Sequence, residues 1–178
     1  PAGVMLTFYF NMSWYQNNKT LVAGKYYEKL LDAVNAADKM FVEAVEKENI
    51  VIACGGGGIP VVKNGEGDYT GVAAVIDKDF ACEKMAELVD ADYLFILTAV
   101  DRVCINYNKP DQKELTEITV EEADKLSAEG HFAPGSMLPK VIACKTFASS
   151  KQGRKAVIVS LEKASLAMSG ESGTVITQ

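Results

Sequence analysis

Apolar and polar positions along the chain change period several times, and each change marks an element. Val4, Leu6, Phe8 and Phe10 fall at every second position, which predicts a strand. Trp14 to Asn18 read as a turn or loop. From Lys25 to about Glu48 the period lengthens: Leu30, Leu31, Val34, Ala37, Phe41, Val42 and Val45 recur at three and four residues, the stripe of an amphipathic helix. Asn49 supplies a stop. Residues 50–54 form an apolar, β-branched run that reads as a buried strand.

That strand ends in Gly55, Gly56, Gly57 and Gly58, on which the rest of the pattern turns. Four residues without Cβ let backbone N–H groups approach a ligand closely. A Gly-rich turn at the carboxyl end of a buried strand is where an open α/β sheet receives phosphate. Val61 and Val62 then lead into a hairpin turn at 63–68, with a returning strand at 72–76. A helix is expected from Asp77 to Val89, with Phe80, Ala81, Met85 and Leu88 inward. Strands follow at 93–100 and 103–107, and a turn at 108–111. Thr119 and Glu122 have capping-box spacing and open a short helix that Gly130 ends. His131 to Pro134 form a loop. Ser136 can cap a helix through Val141, Ile142 and Phe147. A strand at 155–160, a helix at 161–168 and a strand at 174–177 complete the pattern. Strands alternating with helices predict an α/β sandwich around a largely parallel sheet.

Composition narrows the function. The chain of 178 residues carries a net charge of −6 and no Lys/Arg cluster, which argues against a nucleic-acid partner. Cys54, Cys82, Cys104 and Cys144 lack C-x-x-C spacing, and the single histidine, His131, cannot build a His/Cys metal site. Reduced structural thiols in a cytoplasmic chain are the expected account. No apolar run reaches the roughly 20 residues of a membrane span. The apolar stretch 4–10 lacks the flanks of a signal peptide. The first residue is Pro1 rather than Met, so a processed, trimmed or partial chain is expected.

Three places have the chemistry to hold phosphate. Besides the glycine run, Asp77-Lys78-Asp79 opens a helix, where acids suit the dipole and neighbouring carboxylates orient the lysine. Gly135-Ser136-Met137-Leu138-Pro139-Lys140 joins a helix N-terminus to a first-turn lysine. Backbone donors with two ammonium groups describe a phosphate clamp. Phosphoryl transfer asks for positioning and charge neutralisation rather than a nucleophilic side chain. Tyr107 is a candidate to stack on a base, and His131 reads as structural.

Taken together these residues resemble a known family. Residues 50–60, Ala74-Val75-Ile76-Asp77-Lys78-Asp79-Phe80-Ala81, Phe95 to Asp101, Cys104 to Asp111, Gly130 to Lys140 and Gly173-Thr174-Val175 resemble the carbamate kinases, of the amino acid kinase superfamily. The likeness runs from about residue 48 to the end and corresponds to the family's nucleotide-binding half. Residues 1–47 match nothing in it beyond the helix, and they lack the Gly-Gly-Asn and Ser-Gly-Asn-Gly-Pro-type turns that hold the acceptor. Two regions are therefore expected: 1–47 and 48–178.

The resemblance implies a three-layer α/β/α sandwich with its N-terminal half shortened or missing, and a homodimer. It implies reversible phosphoryl transfer from carbamoyl phosphate to ADP with Mg²⁺, giving ATP and carbamate. By position, Lys78 and Lys140 would contact the transferring phosphoryl group and the nucleotide phosphates, and Asp79 would orient the lysines. Thr98, Asp101, Tyr107 and Met137 would line the nucleotide pocket, and Gly55 to Gly58 would face the phosphates. The family usually has Asp or Gly where Ala99 stands. A non-catalytic nucleotide-binding or dimerising module built from the same half is the alternative expectation.

Overall fold

The structure is a computed structural model that describes residues 20–22, 25–27, 30–53, 60–65 and 67–178. The expected strand at 4–10, the turn at 14–18 and the glycine run lie outside the described residues. The chain divides into two compact units, residues 1–81 and 82–178.

In the first unit, β1 (Thr20–Val22) and β2 (Lys25–Tyr27) pair antiparallel, with Thr20 opposite Tyr27. The helix expected from Lys25 therefore begins later, as α1 (Leu30–Glu46). Tyr26 and Tyr27 favour a pleated strand, and the hairpin ladder takes their backbone groups. Helix α1 rests on both strands and buries Phe41 and Ala44. It ends where Glu48 turns left-handed at φ 60°. The Glu48 N–H donates to Val45 O, and the Asn49 N–H to Ala44 O, a Schellman closure. The Asn49 side chain adds a second donor to Ala44 O at 2.9 Å.

The strand expected at 50–54 is not formed over its described part. Residues 50–53 are irregular, and Ile50 and Ile52 are 68% and 61% exposed. A strand exists only through a ladder, and among the described residues none pairs with this run. The following hairpin is real but tighter than expected. Strands β3 (Val61–Lys63) and β4 (Tyr69–Gly71) pair antiparallel, and residues 72–77 are irregular. Asn64 closes the turn: its N–H donates to Asp68 O at 2.7 Å, and its Oδ1 accepts from the Asp68 N–H at 2.9 Å.

Helix α2 (Lys78–Leu88) crosses the division between the units. Asp77 precedes it, and its Oδ1 accepts from the Asp79 N–H at 2.7 Å, a cap that satisfies one first-turn donor. The expected apolar face is met only in part: Ala81 and Met85 are half-buried, but Phe80 and Leu88 are exposed, whereas Asp79 and Glu83 are buried. Burial pushes the Glu83 carboxyl above its ordinary range, helped by a shared hydrogen bond with Glu87. That shared bond in turn holds Glu87 low.

The second unit is built on one sheet. Strands β5 (Tyr93–Thr98), β8 (Glu117–Thr119), β9 (Lys155–Ser160) and β10 (Thr174–Thr177) lie in the order β5-β9-β10-β8. The β5–β9 and β10–β8 pairings are parallel, and β10–β9 is antiparallel. The sheet is thus mixed and mostly parallel. Strand β5 is shorter than expected and, among the described residues, pairs only with β9; alternation along it buries Leu94 and Ile96 on one face and leaves Tyr93 and Leu97 exposed on the other. The expected strand at 103–107 shrinks to β6 (Cys104–Ile105), paired antiparallel with β7 (Lys113–Glu114). Neither β7 nor β8 was expected from the pattern, because two- and three-residue strands carry no readable period.

Helices lie on both faces of the sheet, which gives three layers. Alternation along β9 sends Ala156 and Ile158 to one face and Val157 and Val159 to the other. The first face packs on α3 (Val120–Ala128) and α4 (Met137–Ser150), with Val141, Cys144 and Phe147 fully buried. The second packs on α5 (Ala164–Met168) through Ala167. The capping box forms as expected: Thr119 Oγ1 accepts from the Glu122 N–H at 3.1 Å, and Glu122 Oε2 from the Thr119 N–H at 2.9 Å. Gly130, at φ 77°, ends α3 in a second Schellman closure. The expected helix at 161–168 is broken into a 3-10 turn, Leu161–Lys163, followed by α5.

Candidate nucleotide site

The carboxyl ends of β5 and β9 stand side by side, with Thr98 opposite Ser160 in the parallel register. This is the edge at which open α/β sheets bind ligands. Chain leaving β5 places Asp101 beside the end of β9. Asp101 Oδ1 accepts from Ser160 Oγ at 2.7 Å, and Oδ2 pairs with Lys163 Nζ at 2.5 Å. The Lys163 hydrogen bond first, then that of Ser160, holds the Asp101 carboxyl below the usual carboxylate range.

Behind Asp101 the loop is pinned to β10. Thr174, fully buried, accepts from the Val103 N–H at 2.8 Å and donates to Leu115 O at 2.5 Å. Arg102 Nε donates to Gly173 O at 3.3 Å, and its guanidinium pairs with Glu114. Gly173 has φ 93°, and a Cβ there would meet Val157 Cγ1 at 2.9 Å and Ile158 O at 3.1 Å. Only glycine fits this crossing.

Helix α4 brings Met137 and Lys140. Its last residue, Ser150, accepts through Oγ from Arg154 at 2.5 Å, just before β9 begins. The helix packs along β9 and its 14 residues rise about 21 Å, close to the span of six strand residues. Running back from Arg154, its N-terminus lies toward the carboxyl ends of β5 and β9. Met137 packs against the first core cluster, and Lys140 is half-buried in the first turn. Ser136 occupies the N-cap position without a side-chain cap bond. The helix start also offers fewer N–H groups than expected. The Leu138 N–H donates to Ala133 O at 3.0 Å, and Pro139 has none. An anion here would rely more on the Lys140 ammonium and the helix dipole.

Tyr107 sits near the tip of the β6–β7 ribbon, 55% exposed, between Asn106 and Asn108, both at positive φ. The Cys104 thiol is pushed up by burial and by Glu114, which favours the protonated form. His131 Nε2 lies 3.4 Å from Glu129 Oε2. Lys78 and Asp79 belong to the first unit, Lys78 exposed and Asp79 buried. Among the described residues no group of three or more His, Cys, Asp or Glu side chains is placed to hold a metal ion. No described helix is long and apolar enough to cross a membrane.

Sequence reasoning did not single out Ser160, Lys163 or Arg102, and met Thr174 only within the Gly173-Thr174-Val175 motif. The polar residue closing a buried apolar strand, Ser160, was the available signal. The contacts of the other three are visible only once β5, β9 and β10 are side by side.

The sandwich is that of an α/β fold, and residues 16–160 match the model of the amino acid kinase family. The chain belongs to that family. Within it, the chain is similar to carbamate kinases. It is 57% identical over 160 residues to a carbamate kinase of Clostridium perfringens, spanning 88% of this chain and 51% of that one. Carbamate kinase 1 of Enterococcus faecium is 50% identical over 162 residues, with the same shares covered. The carbamate kinase of Giardia lamblia bound to AMP-PNP superposes with a TM-score of 0.73 at 41% identity, over 79% of this chain and 44% of that one. UMP kinase of Bacillus anthracis, 12% identical with a TM-score of 0.53 over 79% of this chain and 50% of that one, shares the fold alone. The chain spans about half the length of the curated relatives it matches.

Proposed function

We propose that this chain is the nucleotide-binding part of a carbamate kinase-type phosphotransferase, moving a phosphoryl group between carbamoyl phosphate and ADP to give ATP and carbamate. The observation that carries the reading is the carboxyl edge of β5 and β9, where a fixed, ionised Asp101 lies at the strand edge toward which the Lys140 end of α4 is directed. The likeness to carbamate kinases supplies the substrate class. In this reading Thr98, Asp101, Tyr107 and Met137 surround the nucleoside and Lys140 neutralises its phosphates, while Lys78, with Asp79 to orient it, and Gly55 to Gly58 keep the phosphate-contacting roles that the likeness to carbamate kinases implies. Mg²⁺ fits as the nucleotide's own companion, because it draws most ligands from phosphate and water. Transfer then rests on alignment and charge neutralisation by these groups. Residues 48–178 carry the nucleotide-binding region, 1–47 the segment before it, and the working protein is a cytoplasmic homodimer.

The test is ATP formation from ADP, Mg²⁺ and carbamoyl phosphate by this chain, with Lys78→Ala as control. Turnover lost in the variant supports the phosphotransferase. A non-catalytic nucleotide-binding or dimerising module is the other expectation, and none of the relatives reported above favours it. Saturable ADP binding without turnover by folded chain supports that one.

A further inference from the structure

Asp101 is held by more than its own segment. One carboxylate oxygen accepts from the last residue of β9, and the other pairs with the last residue of the 3-10 turn that follows. Arg102, next in sequence, is turned to Gly173 and Glu114. An aspartate 43% exposed would ordinarily sample several rotamers, and two donors from different positions remove that freedom. A carboxylate has about four lone-pair sites, so two remain after Ser160 and Lys163 are served. Those sites accept only. A phosphate is repelled there, and a ligand must present a donor. A nucleotide offers an acidic side chain its ribose diol or its base amino group, and in open α/β sheets the acidic residue takes the ribose hydroxyl.

We propose that Lys163 and Ser160 are positioning residues, fixing Asp101 to accept a hydrogen bond from a ribose hydroxyl of the bound nucleotide. The inference rests on the nucleotide-binding reading above and adds what that reading leaves open, the residues that select ribose. Lys163 neutralises Asp101 as well as aiming it, so the phosphates nearby meet less repulsion.

The test is calorimetric titration of the chain with ADP, with 2′,3′-dideoxy-ADP and with inosine diphosphate, for wild type, Lys163→Met and Lys163→Arg. Lys163 is 45% exposed, so the substitutions leave the core intact. Wild type should bind ADP about tenfold or more tightly than the dideoxy ligand, the range for a hydrogen bond to a charged group. Lys163→Met should bring that ratio close to one, and Lys163→Arg should restore it. A merely structural lysine would weaken both ligands equally and leave the ratio unchanged, which overturns the inference. A change in the ADP-to-inosine diphosphate preference instead would place the adenine amino group at Asp101 and overturn it as well. No ADP binding by wild type would overturn the inference together with the reading it rests on; ADP binding with no preference for ribose would overturn the inference alone.

Discussion

Thr174→Val tests how the loop carrying Asp101 is secured. The substitution keeps the side-chain shape and removes one hydroxyl. That hydroxyl is fully buried, accepts from the Val103 N–H at 2.8 Å and donates to Leu115 O at 2.5 Å. Val103 is itself fully buried, so water cannot replace the lost acceptor. Leaving a buried donor unsatisfied costs about 1–3 kcal/mol, and the bond to Leu115 contributes about 0.5–1.5 kcal/mol more. The added methyl returns less than about 1 kcal/mol. The net loss is therefore about 2–3 kcal/mol, or about 4–12 °C in Tm for a chain of this size. Urea and thermal unfolding followed by circular dichroism would read it. Thr174→Ser keeps both hydrogen bonds, loses one methyl, and should cost only about 1 kcal/mol. The order of the two variants matters more than either value. If Thr174→Val unfolds within about 0.5 kcal/mol of wild type, the hydroxyl does not bridge β10 to the Asp101 loop, and the geometry assigned to the loop is wrong.

Gly173→Ala places a Cβ at φ 93°, 2.9 Å from Val157 Cγ1. It should cost at least about 2 kcal/mol in a urea melt, from left-handed strain and displaced neighbours together. The Asp90 carboxyl is held below its ordinary 3.8, first by Lys151 and then by Arg154. A depressed carboxyl stabilises the fold above its unfolded value and loses that contribution as pH falls through the folded one. Wild-type Tm should therefore drop on acidification below about pH 4, and Asp90→Asn should drop less over the same range, as scanning calorimetry would record.

Much of the second unit could be read from sequence, and for a clear reason. Strand β9 is a continuous apolar run closed by polar residues, the buried positions of α4 include Val141, Cys144 and Phe147 at three-residue spacing, and the capping box at Thr119 is a local device whose partners are three residues apart. What failed depended on partners distant in sequence. The run at 50–53 has the composition of a buried strand but, among the described residues, no ladder to join. Phe80 and Leu88 read as the inward face of α2, whereas Asp79 and Glu83 are the buried ones. Residue type alone does not tell which neighbour a helix meets. The candidate site divides the same way. Asp101, Met137 and Lys140 were candidates because the motifs that carry the resemblance are long and ordered. Ser160 and Lys163 were not, since their link to Asp101 spans some sixty positions of chain.

The most direct test of nucleotide binding at this edge is an ADP titration of the wild-type chain and Lys140→Ala in the presence of Mg²⁺. The account predicts saturable binding by wild type. It predicts a loss on the order of 1.5–3 kcal/mol in the variant, about ten- to a hundredfold in Kd, as befits a charged hydrogen bond to phosphate. Equal affinity in the two proteins would remove Lys140 from the phosphate site, and absence of binding by folded wild-type chain would contradict the nucleotide site itself.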